Sequence, residues 1–468
     1  MTDRLQEVER RSAALSRELG LATLVLTQVM YVVGSAWVGV GAKLGTAHIA
    51  FWLMAAAGFY VPQAAVVIFL SRIMPLEGGL YQWATAAFGK FAGFVVAWNL
   101  WAYAILIIGS FGVVIATNLK YLVGPIGEPF TDSAAYTAIV SLTSLVGITV
   151  MAVFGLRVGK WFQNFGGATQ FITFGALILV PFLALSRGTI AAYHPLAASM
   201  PTFTLFSLNI FGKMAIGAFS GFEWVAILAG ECKSPARTIG RSVMIASPII
   251  AVMFILGTSS VLALVPQSQI DLVSPIPQAL TIGFGGLGIA RFVVPALILS
   301  LLIRQIGNAT LLFAGNTRLP MVAGWDGLLP AWFTRLHPRY KTPVNSIVFV
   351  GAITLVLTAA GLSGVGLQEA FQLLENTGGI FYAFGYIAMF AVPLFAANRL
   401  PERPGPWLRA AAAVGFAVSI LYSVLSVFPI VDVASWAAFS AKIIGVLAGV
   451  NILGVMIYAG ARRRTSAS

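Results

Sequence analysis

Apolar positions in this chain form long continuous runs instead of alternating with polar positions. Each run holds about 20 residues, the length at which an α-helix crosses the hydrocarbon core of a bilayer. Short polar stretches that contain glycine or proline separate the runs, so the pattern predicts an all-α membrane protein of twelve spans. The predicted spans are residues 21–45, 50–70, 91–119, 134–154, 165–185, 203–230, 242–265, 292–317, 344–360, 370–395, 408–427 and 436–459.

Small residues interrupt span 1 near its middle. Gly34, Ser35 and Ala36 stand together inside an otherwise apolar run. Backbone that leaves the helix at this depth is tolerated only where it is buried in protein or lines a cavity. A broken helix would present its N-terminal dipole and free carbonyl groups to that cavity. The alternative is close helix packing through small residues, a pattern that Gly41-x-x-x-Gly45 also fits.

Span 6 contains a second interruption of the same kind. The residues at this interruption, near the middle of the span, are Gly217, Ala218, Phe219, Ser220 and Gly221. Phe222 and Glu223 follow at once. One interruption could serve packing alone, but two in corresponding spans are typical of transporters that bind their substrate between discontinuous helices.

The positions of the two interruptions predict the domain organisation. In transporters built on inverted repeats, short or interrupted segments occupy corresponding positions in the two halves. The first five-helix repeat is therefore expected at residues 21–186 and the second at residues 203–395. Two further spans follow at residues 408–459, and residues 1–20 and 460–468 are expected to form tails outside the membrane.

Composition supports a membrane protein and narrows its chemistry. Of 468 residues, 59% are hydrophobic and 9% are charged, whereas about 25% of the residues in soluble domains are charged. The one cysteine, Cys232, excludes a disulfide framework and a thiolate metal site. His48, His194 and His337 all fall in predicted loops, so no histidine-based catalytic centre is expected. We expect no metal, no cofactor and no enzymatic activity.

The positive charges predict the orientation in the membrane. With the N-terminus in the cytoplasm, the cytoplasmic segments hold 21 of the 28 Lys and Arg residues and the outer segments hold 5. The remaining two, Lys213 and Arg304, lie within spans. An excess of Lys and Arg marks cytoplasmic loops, so both termini are expected in the cytoplasm and the chain in the cell membrane. The net charge of +13 then reflects loops at a lipid bilayer, and no nucleic acid partner is expected.

Several motifs resemble the amino acid–polyamine–organocation permeases. The triplet Gly34-Ser35-Ala36 looks like the Gly-Ser-Gly break in the first helix of that family. Further motifs are similar in matching order: PLEGGLYQW after span 2, AFSGFE in span 6, GECKSPARTIGRS after it, and TRLPMVAGWDGLLPAWFTRLHP with TPVN before span 9. The resemblance implies a LeuT-type fold of twelve helices, with a 5+5 inverted repeat and discontinuous helices 1 and 6. It also implies transport of amino acids or polyamines by alternating access.

Some positions depart from the family pattern. Ala36 replaces the second glycine of the triplet, and Gly240 stands where the family usually has proline. Gln170 occupies the place at which some proton-coupled members have a lysine. Sodium-coupled relatives often pair adjacent hydroxyls on helix 8, but Ser300 and Thr310 are separate in this sequence, so a sodium site is not indicated.

The resemblance places the substrate at the two interruptions. The carboxylate of an amino acid is expected at the backbone N–H groups of Ser35, Ala36 and Trp37, and its ammonium at carbonyl groups freed at both breaks. For the aromatic wall residues, core packing or lipid contact is an equal alternative. The expected substrate-binding residues are Val32, Gly34, Ser35, Ala36, Trp37, Tyr103, Ala104, Gly217, Ala218, Phe219, Ser220, Gly221, Phe222 and Thr310.

Four charged residues within or beside the spans are assigned to coupling or gating. Glu223 is expected either to carry a coupled proton or to cap broken backbone. Arg304 lies about 18 Å into span 8 at the rise of an α-helix, a depth at which a charge needs a partner. The partner of Arg304 could be the substrate carboxylate, Glu223 or Glu375. The hypothesis is that Arg304 or Lys213 pairs with Glu375, either as an outer gate or as a permanent buried pair.

Secondary transport of amino acids is the favoured function. A polyamine or organic amine transporter or exchanger is the alternative. A dication would need carboxylates around the cavity, whereas the buried cations Lys213 and Arg304 favour a substrate that bears a carboxylate. A non-transporting membrane sensor on the same scaffold is less favoured.

Overall fold

The computed structural model describes residues 21–74, 79–124, 133–154, 156–221, 235–325, 330–340 and 342–467. In this part of the chain the regular structure is helical throughout. The helices are α1 (Leu21–Val32), α2 (Ser35–Ala42), α3 (His48–Ala55), α4 (Val61–Ile73), α5 (Leu80–Phe88), α6 (Lys90–Val123), α7 (Ala134–Phe154), α8 (Leu156–Ser186), α9 (Leu205–Gly212), α10 (Pro235–Leu264), α11 (Pro275–Phe284), α12 (Ala290–Trp325), α13 (Val344–Leu362), α14 (Leu367–Phe395), α15 (Pro406–Leu425) and α16 (Trp436–Ala467).

Two segments are wound as π-helix, with wider turns than an α-helix. Ala56–Tyr60 joins α3 to α4, and Lys213–Ala218 continues α9. Short 3₁₀ turns at Gly45–Ala47, Gln267–Gln269 and Ala397–Arg399 lie in connections.

Ten helical stretches among the described residues are long and apolar enough to cross a membrane. They correspond to ten of the predicted spans. The two remaining predicted spans, 21–45 and 203–230, are the two that carry the small-residue interruptions. There the structure describes shorter helices, α1 and α2 in the first and the apolar stretch Leu205–Ala218 in the second.

Helices α10, α12 and α16 extend beyond the predicted spans, since α10 begins at Pro235, α12 ends at Trp325 and α16 ends at Ala467. Three further details differ from the sequence-based expectations. Helix α8 begins at Leu156 and not at residue 165, because a helix can continue through a polar first part beyond the bilayer. Helix α11 lies in what the hydropathy pattern left as a loop. Its Pro275 occupies the first turn, where a missing N–H costs little. His48 was expected in a loop, but it begins α3 and is buried.

The described residues fall into two compact units. Unit 1 comprises Met1–Asn99, Leu196–Leu256 and Tyr382–Ser426. Unit 2 comprises Leu100–Pro195, Gly257–Phe381 and Val427–Ser468. Each interruption predicted from the sequence belongs to unit 1, because α1, α2 and α9 all lie within it.

Unit 1 has an aromatic core. The rings of Trp52 and Phe254 stack with centroids 4.4 Å apart and planes 6° apart. Phe219 meets both of these rings edge-on at 5.5 Å. Tyr60 contacts Phe219 at 5.2 Å. Such offset and edge-to-face contacts add to the stabilisation from burial of the rings.

Unit 2 has an aliphatic core. Its buried cluster is built mainly from branched side chains of α6, α7, α12 and α13, including Ile108, Ile148, Ile298 and Val350. Helix α8 packs along α12. Gly112 of α6 lies so close to α7 that a Cβ at this position would be 2.9 Å from the carbonyl oxygen of Ser141. These contacts are those of regular helices packed side by side.

Candidate functional site

Helical structure stops between α1 and α2. Gly34 has φ −85° and ψ 140°, an extended conformation, and it is the N-cap of α2. Its N–H turns back to the carbonyl oxygen of Val32 at 2.9 Å. No side chain caps the helix, so the first N–H groups of α2, from Ser35 to Trp37, are not satisfied within the helix. The N-terminal end of α2 therefore offers backbone donors and the positive end of the helix dipole.

The chain beyond α9 also leaves the α-helical path. The π segment Lys213–Ala218 leads to Phe219, and Ser220 and Gly221 are no longer helical. Gly221 has φ 108°, a conformation that side chains other than glycine rarely adopt. Phe222 and Glu223, two of the residues expected at the site, lie outside the described part of the chain.

A buried tyrosine fixes the backbone at Gly221. The N–H of Gly221 donates to Oη of Tyr386 in α14 at 3.2 Å. Nε2 of Gln63 in α4 donates to the same oxygen at 3.0 Å. Both side chains are fully buried within unit 1. An N–H group freed from the helix ladder thus finds its partner on another helix, as burial requires.

The indole of Trp37 touches both predicted interruptions. A Cβ placed on Gly34 would lie 2.7 Å from Cδ1 and 2.9 Å from Nε1 of this ring. A Cβ placed on Gly217 would lie 2.5 Å from Cζ3 and 2.8 Å from Cζ2, and closer still to Cη2. The pyrrole edge of the ring therefore rests on the interruption at Gly34. The benzo edge rests on Gly217, which the structure places within the π-helical segment and not in the non-helical backbone that follows at Ser220 and Gly221. Trp37 itself is only partly buried.

The other expected site residues of unit 1 divide into two groups. Val32, Ala218 and Phe219 are buried, and the ring of Phe219 belongs to the aromatic core. Ser35, Ala36, Gly217, Ser220 and Gly221 are partly exposed. Lys213 is buried at the start of the π segment.

The expected site residues of unit 2 lie on α6, α12 and α14. Ala104 and Thr310 are buried, and Thr310 Oγ1 donates to the carbonyl oxygen of Ile306 at 2.7 Å. Tyr103 is partly buried. Ser300 pairs with Thr173 of α8 at 2.9 Å.

Unit 2 also holds two of the charged residues. Arg304 is 4% exposed, so its side chain is directed into the protein. Glu375 accepts a hydrogen bond from Oγ of Ser110 at 2.6 Å, and the same hydroxyl lies 2.8 Å from the carbonyl oxygen of Ile107.

The pair formed by Gln63 and Tyr386 was not predicted from the sequence. A signal was present, since Gln63 is a polar residue in the middle of a long apolar run and such residues face protein or water.

The described residues contain no group of three or more His, Cys, Asp or Glu side chains that could hold a metal ion. What the arrangement offers is backbone donors, a rigid ring and buried charge, which are means of binding a small polar molecule.

Comparisons with known proteins agree on the class of protein. A family described as amino acid permease matches residues 19–449. The branched-chain amino acid permease BcaP of Lactococcus lactis subsp. cremoris is 25% identical over 388 residues, which cover 79% of this chain and 78% of that protein. The probable agmatine/putrescine antiporter AguD of Lactococcus lactis subsp. lactis is 22% identical over 370 residues, 78% of this chain and 77% of that protein.

A solved structure shares the fold. The crystal structure of MhsT in complex with L-phenylalanine has a TM-score of 0.60 at 13% sequence identity, and the match covers 86% of this chain and 97% of that chain. At this identity the likeness shows the fold alone, which is of LeuT type.

Proposed function

We propose, from the premise that this chain belongs to the amino acid permease family, that it moves amino acids across a membrane by alternating access as a secondary transporter. The family match confirms the resemblance to amino acid–polyamine–organocation permeases. Together with the ten apolar helices it makes the chain a multi-pass membrane transporter. The choice of amino acids as substrate rests mainly on the uncapped N-terminus of α2 at a helix interruption in unit 1.

The proposed binding mode uses backbone groups of unit 1. The substrate carboxylate accepts hydrogen bonds from the first N–H groups of α2, at Ser35 and Ala36, where the helix dipole favours a negative charge. The substrate ammonium binds carbonyl oxygens at Val32, Gly217 and Ser220. Because these are main-chain groups, they recognise what all α-amino acids share, and the side chains nearby determine which amino acid is accepted.

The proposed architecture extends the observed helices. Spans 1 and 6 cross the membrane as discontinuous helices, which brings the number of spans to twelve. Residues 21–186 and 203–395 form the two inverted repeats, and both termini face the cytoplasm. The last point is supported by the distribution of Lys and Arg over the loops.

Charge provides a second argument for a substrate with a carboxylate. Lys213 is 2% exposed in unit 1 and Arg304 is 4% exposed in unit 2. A buried cation near the ligand opposes a doubly positive molecule and favours an anionic group, and Lys213 lies in the same unit as the proposed site. Within unit 2 we propose that Arg304 and Glu375 act together as a gate.

Glu223 is proposed as the carrier of a coupled proton. Glu223→Gln should therefore uncouple uptake from a pH gradient while exchange of substrate continues.

Transport of agmatine or putrescine is the second candidate. The relative AguD, named as a probable antiporter of these amines, favours it. The two candidates differ in the group that binds at the N-terminus of α2, because a diamine has no carboxylate to accept its N–H bonds.

A thermal-shift screen of the purified chain separates the candidates. A ligand that binds only the folded protein raises the melting temperature in proportion to the logarithm of its concentration above Kd. We expect one or more α-amino acids to do so, and their amides and decarboxylated amines to fail. Stabilisation by agmatine or putrescine, with none by any amino acid, would instead support the second candidate. Uptake of the radiolabelled ligand into proteoliposomes then tests transport itself.

A further inference from the structure

The position of the Trp37 ring bears on the size of the substrate side chain. Cα–Cβ bonds in a helix tilt toward its N-terminus, so a side chain covers the residues about one turn before it. Trp37 is the third residue of α2, and its ring accordingly lies over Gly34. The ring is long enough to reach Gly217 as well. One rigid side chain thus reaches from the interruption at Gly34 to the π segment that leads to the second interruption.

The two glycines are complementary to this ring. At Gly34 the φ of −85° is open to any residue, so what opposes a side chain there is contact with the indole. At Gly217 the same is true, because three carbon atoms of the ring occupy the place of a Cβ. The interruption at Gly34 and the π segment at Gly217 both lie against the indole, so the ring occupies part of the space beside the freed backbone groups.

We propose that Trp37 restricts the substrate to amino acids with small side chains. The inference rests on the proposed function, since it takes the backbone groups at α2 as the binding site. An amino acid held by those groups shares the space with the indole. Glycine, alanine and serine fit beside the ring, whereas leucine and phenylalanine need the volume that the ring fills. Steric exclusion of this kind discriminates by size, typically by about 10–200-fold per added group in a pocket.

The first arm of the test measures ligand preference. The full chain in detergent is titrated with alanine, leucine and phenylalanine, and Kd is obtained from the melting temperature at each concentration. The wild type should bind alanine more tightly than leucine. Trp37→Ala should raise the ratio of leucine affinity to alanine affinity at least tenfold, and Trp37→Phe should fall between the two. An unchanged ratio in Trp37→Ala would overturn the proposal.

The second arm tests the geometry without any ligand. Gly217→Ala should lower the melting temperature in the wild-type background by several degrees, because its Cβ collides with the ring. In the Trp37→Ala background the same substitution should cost much less. Equal losses in both backgrounds would show that the ring does not lie against Gly217, and the proposal would fail.

Gly58→Ala is the matched control. Gly58 also lies in a π segment of unit 1, but a Cβ there would meet only Phe211 and Val418, both at 3.8 Å, which is an ordinary contact. Gly58→Ala should change the melting temperature equally in the wild-type and Trp37→Ala backgrounds.

Failure of the proposed function looks different from failure of the size filter. If the wild type and Trp37→Ala bind no amino acid, the proposed substrate class is wrong and the filter falls with it. If the wild type binds leucine as tightly as alanine, the filter alone is wrong.

Discussion

The two units of this transporter differ in how regular their backbone is. Among the described residues, the interruption after α1, both π segments and the positive φ at Gly221 all belong to unit 1. Helices α7, α8, α12 and α13, which belong to unit 2, are unbroken over 19 to 36 residues each. Since lipid cannot satisfy free backbone groups, irregular backbone persists only where protein compensates for it.

The cores of the two units match this difference. Branched aliphatic side chains fill the grooves between the regular helices of unit 2. Flat rings in unit 1 lie against backbone that departs from the α-helical form, as Trp37 does at the extended Gly34 and at Gly217 in a π segment. A ring has few rotatable bonds and covers a large area, so it can support an irregular surface without adding freedom of its own. The irregular backbone described here is thus concentrated in unit 1, while unit 2 consists largely of regular helices packed side by side.

The strongest test of this comparison is a bulky residue at an interruption. Gly34→Leu and Gly221→Leu should abolish binding of the amino acid found in the screen, a loss of more than tenfold in affinity, while the protein remains inserted in the membrane. At Gly221 the backbone strain alone costs about 1–3 kcal/mol. Gly147→Ala in α7 is the unit 2 control, because its Cβ would meet no atom within 4 Å. Wild-type affinity in either leucine variant would show that the interruptions serve packing only.

Removal of buried charge from unit 2 should have the next largest effect. Arg304→Gln and Glu375→Gln are each expected to reduce uptake into proteoliposomes severalfold or more, because the proposed gate needs both charges and Arg304 is buried. The double variant should recover part of the uptake if the two act together. Losses that simply multiply would mean that the two residues are independent. Melting temperatures of all three variants separate loss of gating from loss of folding.

A moderate effect is expected from removal of the Tyr386 hydroxyl, which accepts the N–H of Gly221 at the interruption of span 6. Tyr386→Phe removes the acceptor shared by the N–H of the partly exposed Gly221 and the amide of the buried Gln63. Loss of a hydrogen-bond partner at a buried group costs about 1–3 kcal/mol, which is the upper range expected here. Thermal unfolding should show the loss. Thr354→Val in unit 2 is the contrast, since the Thr354 hydroxyl bonds only to a carbonyl of its own helix. Equal losses in the two variants would remove the distinction drawn between the units.

The smallest effect is expected from an ion pair on the surface of unit 1. Arg72 and Glu402 approach to 2.7 Å, but their side chains are 55% and 57% exposed. Such pairs contribute about 0.2–1 kcal/mol at most, and less in salt. Glu402→Gln should hardly change the melting temperature at 150 mM salt. A large drop in melting temperature that does not depend on salt would contradict this expectation. It would show that this exposed ion pair stabilises the protein as strongly as a buried one.

The fold could be predicted from the sequence because it depends on patterns that repeat over many residues. The apolar run of residues 134–154 coincides with α7, and most other predicted spans agree with the observed helices to within a few residues. The exceptions have local causes. The polar first part of α8 conceals its helical start, and the two prolines at 275 and 277 mask α11.

The candidate site could be predicted only in part. Small residues in an apolar run predicted helix interruptions at Gly34 and Gly217, without indicating which atoms lie against these glycines. The structure places the indole of Trp37 there, 180 positions from Gly217 in the chain. The bond from Gln63 to Tyr386 likewise joins residues 323 positions apart. Contacts of this kind depend on the path of the folded backbone and leave no periodic trace in one sequence.

The π segments at Ala56–Tyr60 and Lys213–Ala218 also bear on how this chain should be aligned with its relatives. A π turn is what an α-helix forms when it accommodates one inserted residue. A relative that lacks the insertion needs a gap of one residue at that point. Without the gap, every later residue of the helix is matched to a neighbour about 100° away around the axis. Evolutionary comparisons of Gly217 with its counterparts should therefore be anchored on superposed backbones at Lys213, where an ungapped alignment would assign the glycine to the wrong face.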